Sequence, residues 1–190
     1  MTKLMIIIGS VRPGRVGLPV AEWVTSVASA DDRFEIDVVD LAELNLPMMD
    51  EPNHPRLRQY TKEHTKEWSA RVDAADAFVF VAPEYNYSYG PALKNAIDFL
   101  HSEWFRKPLG VASYGGISGG TRGAAAIRAT VAALGLVSTT ANVEIPFIAK
   151  QIDDDGKFVP NERNELMLAH MLTEIAALDG ALRPLRTSAA

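Results

Sequence analysis

Ala77-Phe78-Val79-Phe80-Val81-Ala82 runs directly into Pro83-Glu84-Tyr85-Asn86-Tyr87-Ser88-Tyr89-Gly90-Pro91, and a helical pattern follows from Leu93 to Leu100. The unbroken apolar run predicts a strand over Ala77 to Val81, covered on both faces. Proline fixes φ and glycine permits geometries that other residues resist, so the loop after the strand is conformationally costly. Its aromatic rings with polar tips suit a flat, partly polar ligand. A well-packed loop with tyrosine hydroxyls as caps carries the same residues, so this stretch by itself leaves both readings open.

A second loop adds weight to the ligand reading. Leu4 to Ile8 is another apolar run, and it meets Gly9-Ser10-Val11-Arg12-Pro13-Gly14-Arg15-Val16-Gly17. A helix is expected next, with Pro19 in its first turn and Val20, Trp23, Val24 and Val27 on one face. Glycines, a hydroxyl and two arginines at a strand-to-helix turn read as an anion site, because backbone N–H groups and the helix N-terminus supply donors. Arginine adds charge and a forked donor. The loop lacks both G-x-G-x-x-G and the G-K-[S/T] of a P-loop, which points to a terminal monophosphate. A third loop, Ser113-Tyr114-Gly115-Gly116-Ile117-Ser118-Gly119-Gly120-Thr121-Arg122, lets backbone approach a ligand closely.

Between these loops, strands alternate with helices. Phe34, Ile36 and Val38 alternate with Glu35 and Asp37, so the second strand is expected to be less buried, at an edge. A long helix is expected to carry Leu57, Tyr60, His64, Trp68, Val72 and Ala75 near one face. Leu109 to Ser113 is the fourth strand, and a helix with Ile127, Val131 and Leu134 in register follows it. The fifth strand lies somewhere between Leu136 and Ile145. The last helix is expected from about Glu162 to Asp179, with Gly180 at its C′ position. Strands separated by helices indicate a doubly wound α/β sheet, in which ligands sit at the carboxyl ends of the strands. The three loops follow the first, third and fourth strands and are expected to converge there.

The 190 residues suit one domain, and neither a repeat nor a second domain is visible. The expected boundaries are a domain over 1–182 and a disordered tail over 183–190. A net charge of −5 argues against general binding to nucleic acid or to an anionic membrane. The absence of cysteine excludes disulfides, thiol catalysis and cysteine-ligated metal, so redox chemistry would need a bound cofactor. The histidines at 54, 64, 101 and 170 show no metal-ligand spacing, and Asp153-Asp154-Asp155-Gly156-Lys157 is too short for a calcium loop. No apolar stretch reaches the roughly 20 residues of a membrane span, and no secretory leader pattern opens the chain, so a cytoplasmic location is the expectation.

Three pieces resemble the NADPH-dependent FMN reductase family, which includes quinone, azo-dye and chromate reductases. They are Gly9-Ser10-x-Arg12-x-Gly14-Arg15, then Pro83-Glu84-Tyr85-Asn86-x-Ser88-x-Gly90-Pro91-x-Leu93-Lys94-Asn95-Ala96-Ile97-Asp98, and Ser113-x-Gly115-Gly116 with Gly119-Gly120. The middle piece is the most specific, and the similarity extends from residue 3 to about residue 178. The resemblance implies a flavodoxin-like three-layer α/β sandwich with a five-stranded parallel sheet in the order 2-1-3-4-5. It implies noncovalent FMN, with NADPH or NADH as electron donor.

By the same resemblance, Ser10, Arg12 and the backbone around Arg15, Val16 and Gly17 would hold the FMN phosphate. Many relatives carry a small polar residue near Gly17, whose side-chain hydroxyl is missing here. Pro83, Glu84, Tyr85, Asn86 and Tyr87 would line the isoalloxazine, and Ser113, Gly115 and Gly116 would border its pyrimidine end and ribityl chain. No catalytic side chain is required, because flavin carries the hydride and electron chemistry. Glu84 then polarises a water or caps its loop, and His64, on an apolar helical face, is read as a packed core or interface residue ahead of a functional one. The implied activity is NAD(P)H-dependent reduction of quinones, azo compounds, flavin or a similar small-molecule acceptor by a ping-pong cycle. The alternative is an FMN-binding electron-transfer or redox-sensing protein that turns over NAD(P)H poorly. A hydrolase is disfavoured because G-x-S-x-G is absent. A homodimer or homotetramer is expected from the resemblance and from Trp104, Phe105, Tyr87 and Tyr89, read as an aromatic surface near the site.

Overall fold

The computed structural model describes residues 1–187. Its centre is a parallel sheet of β1 (Thr2–Ile8), β2 (Phe34–Asp40), β3 (Ala77–Tyr85) and β5 (Pro108–Tyr114), with β6 (Val137–Ser138) and β7 (Val143–Ile145) beside β5. The short β4 (Ser88–Tyr89) pairs antiparallel with the end of β3. Strand order is β2-β1-β3-β5, followed by β6 and β7 on the same edge of β5. Counting that edge as one interrupted strand and setting the hairpin arm aside, this is the expected 2-1-3-4-5 order of a flavodoxin-like fold.

The pleat explains the three layers. Leu4, Ile6 and Ile8 face one side of β1 and Met5 and Ile7 the other, since successive side chains alternate across a strand. The first set packs on α1 (Gly17–Ser29) and α6 (Glu162–Thr187), through Val20, Val24, Leu168, Leu172 and Ile175. The second set packs under α3 (Glu63–Ala74), α4 (Pro91–Asp98) and α5 (Thr121–Ala132), through Trp68, Val72, Leu93, Ile97, Ile127 and Val131. A one-turn helix, α2 (Leu41–Leu44), closes β2 and is capped by Asp40, whose Oδ1 accepts from the Ala42 N–H at 2.9 Å.

Several expectations are corrected. The α1 stripe runs through Gly17, Val20, Ala21, Val24 and Ala28, which leaves Val27 at its edge and exposed. α3 begins only at Glu63. The Glu51 carboxylate takes the Thr61 and Lys62 N–H groups at 2.8 and 2.9 Å, so Tyr60 stays in a loop and Leu57 is exposed on a short turn. The fifth strand is interrupted because three residues of β5 span the distance covered by five on its neighbour: Leu109 faces Ser138, and Ala112 faces Val143. Glu174 of α6 accepts the N–H groups of Thr140 and Ala141 in that bulge.

Trp104 and Tyr89 are buried, which removes them from the expected aromatic surface. Trp104 stacks edge-on with Trp68 and Phe78 and donates Nε1–H to the Ile97 carbonyl at 3.1 Å. Tyr87 and Phe105 are exposed. The expected disordered tail over 183–190 is also corrected. α6 passes through Gly180 and continues to Thr187, because Asp179 binds Arg183 and Arg186 (2.5 Å each) on its following turns. Residues 188–190 of that expected tail lie outside the described residues. Among the described residues, no helix is long and apolar enough to cross a membrane.

Candidate cofactor site

The carboxyl ends of β1, β3 and β5 lie side by side, and the loops that leave them enclose one cleft. Ser10, Arg12, Arg15 and Val16 line it from the β1–α1 loop, Pro83, Glu84 and Tyr85 from the end of β3, and Tyr114, Gly115 and Ile148 from the far side. An adjoining cleft shares Ser10, Arg12 and Tyr85 and continues along Gly9, Val11, Gly90, Pro91 and Ala92. Topology forces this convergence, because parallel strands joined by right-handed crossovers bring their carboxyl ends to one edge.

The β1–α1 side is rich in donors. Arg12 is exposed and has no carboxylate partner among the described residues. Arg15 pairs through Nη2 with Asp40 at the end of β2, so part of its charge is already answered within the protein. α1 opens with no side-chain cap and no acid in its first turn, which leaves its N-terminal N–H groups and dipole available to an anion.

The β3 side is a hairpin. Glu84 pairs with Tyr89 and Tyr85 with Ser88 across a two-residue turn, in which Asn86 (φ 47°) and Tyr87 (φ 69°) are both left-handed. That is the turn class favoured by hairpin twist, but a tyrosine there costs roughly 1–2 kcal/mol. The Arg122 guanidinium lies 3.9 Å from the centroid of the Tyr87 ring. Glu84 holds Arg122 in turn, accepting from its Nε at 2.6 Å and its backbone N–H at 3.2 Å, and also from Ser118 Oγ at 2.9 Å. Burial pushes the Glu84 carboxyl up, but these donors outweigh it and hold the pKa below its ordinary value. Glu84 therefore clamps the hairpin to the start of α5. The hairpin and α5 touch backbone to backbone as well, for a Cβ on Gly123 would stand 2.9 Å from the Ser88 carbonyl oxygen.

The glycine loop after β5 is more committed than its sequence implies. Ser113 is buried and donates its hydroxyl to the Gly119 carbonyl at 3.0 Å. The Gly115 N–H goes to the Ile145 carbonyl, and the Gly116 carbonyl accepts from Gly119 and Phe147. Gly120 has φ 85°, and a Cβ there would lie 2.6 Å from the Tyr114 nitrogen, so only glycine lets the loop fold back over β5.

Eight of the residues read as a site line the cleft: Ser10, Arg12, Arg15, Val16, Pro83, Glu84, Tyr85 and Gly115. Gly17, Asn86, Tyr87, Ser113 and Gly116 do not line it. Gly17 lies behind Tyr114, Asn86 and Tyr87 form the hairpin tip, and Ser113 is spent on its own loop. Sequence reasoning missed Tyr114 and Ile148. Strand parity offered a signal for Tyr114, two residues beyond Ala112 on the α1 side of the sheet. Nothing local marks Ile148.

Two side-chain atoms in this cleft, Tyr114 Oη and Arg15 Nε, are buried without a hydrogen-bond partner. An unsatisfied buried donor costs about 1–3 kcal/mol. Both lack an acceptor, and both stand among further donors. A phosphate monoester answers that need, and Pro83 and Tyr85 offer a flat apolar wall beside it. The residues present therefore fit FMN.

The fold and the cleft define a flavodoxin-like α/β protein shaped to receive an anionic, planar cofactor at the carboxyl edge of its sheet. Residues 2–149 match the family described as NADPH-dependent FMN reductase, and the chain belongs to that family. A Schizosaccharomyces pombe protein named NAD(P)H-dependent FMN reductase is 45% identical over 120 residues, a match covering 62% of this chain and 60% of that protein. A Staphylococcus saprophyticus protein named FMN-dependent NADPH-azoreductase is 27% identical over 166 residues, covering 86% of this chain and 88% of its own. The solved structure of FerB, a flavoenzyme NAD(P)H:(acceptor) oxidoreductase from Paracoccus denitrificans, shares the fold with a TM-score of 0.75 at 20% identity. It covers 96% of this chain and 99% of that one.

Proposed function

We propose that this chain is an NAD(P)H-dependent FMN oxidoreductase that reduces small-molecule acceptors, with quinones, azo compounds and free flavin as the candidate classes. The observation that carries the reading is the cleft in which Ser10, Arg12 and Arg15 face Pro83, Tyr85 and Tyr114, with two buried donors left unanswered. FMN, when bound, supplies the chemistry: it takes a hydride from NADPH or NADH and passes electrons to the acceptor.

The chain's own residues bind and orient. Ser10, Arg12 and the N-terminus of α1 hold the phosphate, and the backbone from Arg15 to Gly17 borders it. Pro83, Glu84 and Tyr85 wall the ring, with Asn86 and Tyr87 at the rim. Gly115 and Gly116 border the far end, and Ser113 acts by fixing the loop that carries them. Residues 1–187 form one cofactor-binding unit, and the working location is the cytoplasm. The protein assembles as a homodimer or a dimer of dimers, a reading supported by the exposed Tyr87, Phe105, Ile117 and Phe147. Sedimentation equilibrium giving only the 20.7 kDa monomer at micromolar concentration refutes assembly.

The test of function is direct. Purified protein is denatured by heat, and the released cofactor is identified by mass. One FMN per chain is expected, and steady-state kinetics with NADPH and a quinone should give parallel double-reciprocal lines. Recovery of FAD, or a protein that FMN cannot reconstitute, overturns the cofactor reading. Intersecting lines overturn the ping-pong cycle.

A further inference from the structure

We infer that the Tyr114 hydroxyl is a phosphate donor that makes this site selective for phosphorylated flavin over riboflavin. The inference rests on the FMN reading above. Tyr114 is the last residue of β5, and its neighbours fix it on both sides. It is paired with Pro83 of β3 and with Ile145 of β7, so its backbone cannot shift without breaking the sheet. The side chain reaches across to the start of α1. A Cβ on Gly17 would stand 2.3 Å from its Oη and 3.0 Å from its Cζ, so the space of a side chain at position 17 is filled by the tyrosine. The hydroxyl thus sits at the N-terminus of α1, in the same cleft wall as Ser10, Arg12 and Arg15.

The chemistry of that hydroxyl is one-sided. It is buried, at 4% exposure, and no described residue makes a hydrogen bond of ordinary geometry with it, although the Ser10 hydroxyl stands near enough to act on its pKa. Burial pushes its pKa up to about 12, against the pull of Ser10, Arg12 and Arg15, so it keeps its proton at neutral pH and can donate. The second orphan of the cleft, Arg15 Nε, is also a donor. The Arg15 Nη2 is held by Asp40 and cannot turn to relieve it without breaking that pair. The one carboxylate lining the cleft, Glu84, is committed to Arg122 and Ser118. What the wall lacks is an acceptor bearing several oxygens and negative charge. A phosphate monoester has them, and the neutral primary hydroxyl of riboflavin does not.

Tyr114→Phe tests this without a change of shape. Flavin-free protein is titrated with FMN and with riboflavin, following flavin fluorescence, and its melting temperature is measured with and without inorganic phosphate. For Tyr114→Phe the Kd for FMN should rise about tenfold or more, as expected for a hydrogen bond to a charged group, while the Kd for riboflavin stays unchanged. Without phosphate the variant should melt at the same temperature as wild type or higher, because it removes an unsatisfied buried donor. Phosphate should raise the melting temperature of wild type more than that of the variant. Equal losses for FMN and riboflavin, or an unchanged Kd for FMN, overturn the assignment. Wild type that binds neither flavin refutes the FMN reading instead. In that case the phosphate melting data still decide whether Tyr114 donates to an anion.

Discussion

At the scale of single residues, Arg12 and Arg15 look equivalent in sequence and are not. Arg15 is bound to Asp40, which also caps α2, whereas Arg12 meets no carboxylate among the described residues. Under the proposed function, Arg12 is the guanidinium left available to a phosphate. Arg12→Ala should weaken FMN binding by about ten- to a hundredfold, the worth of a charge-assisted hydrogen bond. Glu22→Gln, on the exposed side of α1, is the control. Equal Kd values for the two variants in a fluorescence titration would place the phosphate elsewhere. Glu84 shows how a site residue can be legible in position and not in role. Its place in the cleft wall between Pro83 and Tyr85 followed from the loop, but its binding to Arg122 and Ser118 depended on where α5 starts.

At the scale of elements, the hairpin and α3 are each held by a charged side chain from another part of the fold. The hairpin depends on the Glu84–Arg122 pair and on the Tyr89 hydroxyl, which donates to Thr130 of α5 at 2.8 Å. α3 ends on Lys107, buried, whose Nζ donates to the carbonyls of Val72 and Asp73 at 2.9 and 3.1 Å. Burial pulls the Lys107 pKa down to about 8, with Asp73 acting in the opposite sense. The folded value lies below the unfolded 10.5, so between pH 8 and 10.5 the unfolded chain binds more protons and stability rises with pH. Below pH 8 both states are protonated, and the full cost of burying the ammonium weighs against the fold. Compared with Lys107→Met, the wild type should gain stability across that window by an amount on the order of 3 kcal/mol. Urea unfolding of both proteins at pH 7 and pH 10 measures it. A constant difference would mean that burial does not lower the Lys107 pKa, so that the amine stays as charged in the fold as in the unfolded chain across that window.

At the scale of the molecule, α6 closes the sheet at the end remote from the cleft. Asp179 is buried and accepts from the Thr2 hydroxyl at 2.7 Å, so α6 and the first strand share one polar knot with Arg183, Arg186 and Asp76. Burial raises the Asp179 carboxyl, but Arg186, Arg183 and Thr2 outweigh it and hold the pKa below its ordinary value. Its stabilisation is therefore present above the ordinary carboxylate pKa and lost as pH falls through the lowered folded value. Asp179→Asn should cost about 3–5 kcal/mol at pH 7, as expected when one partner of a buried ionic cluster is removed, and the deficit should shrink in acid. Chemical unfolding that shows no loss at pH 7 would reduce the knot to a surface contact. The last turns of α6 are thus part of the fold.

The sequence by itself determined the layer order, the two-sided burial of the strands and the three loops that meet at one edge. These follow from the period of the apolar residues and from glycine and proline, which act within a few residues of where they stand. It also determined most of the cleft wall, because a loop leaving a parallel strand has one direction in which to go. Only the tertiary structure decided which donors were already spent: Arg15 on Asp40, Ser113 on Gly119 and Glu84 on Arg122. It alone decided that Tyr114 fills the space beside Gly17, that the fifth strand breaks around Glu174, and that the chain beyond Gly180 stays helical. The physical reason is the same in each case. A hydrogen bond or a close packing contact has a range of a few ångströms, and its partner in these instances stands on a different element, brought near only when the sheet has assembled.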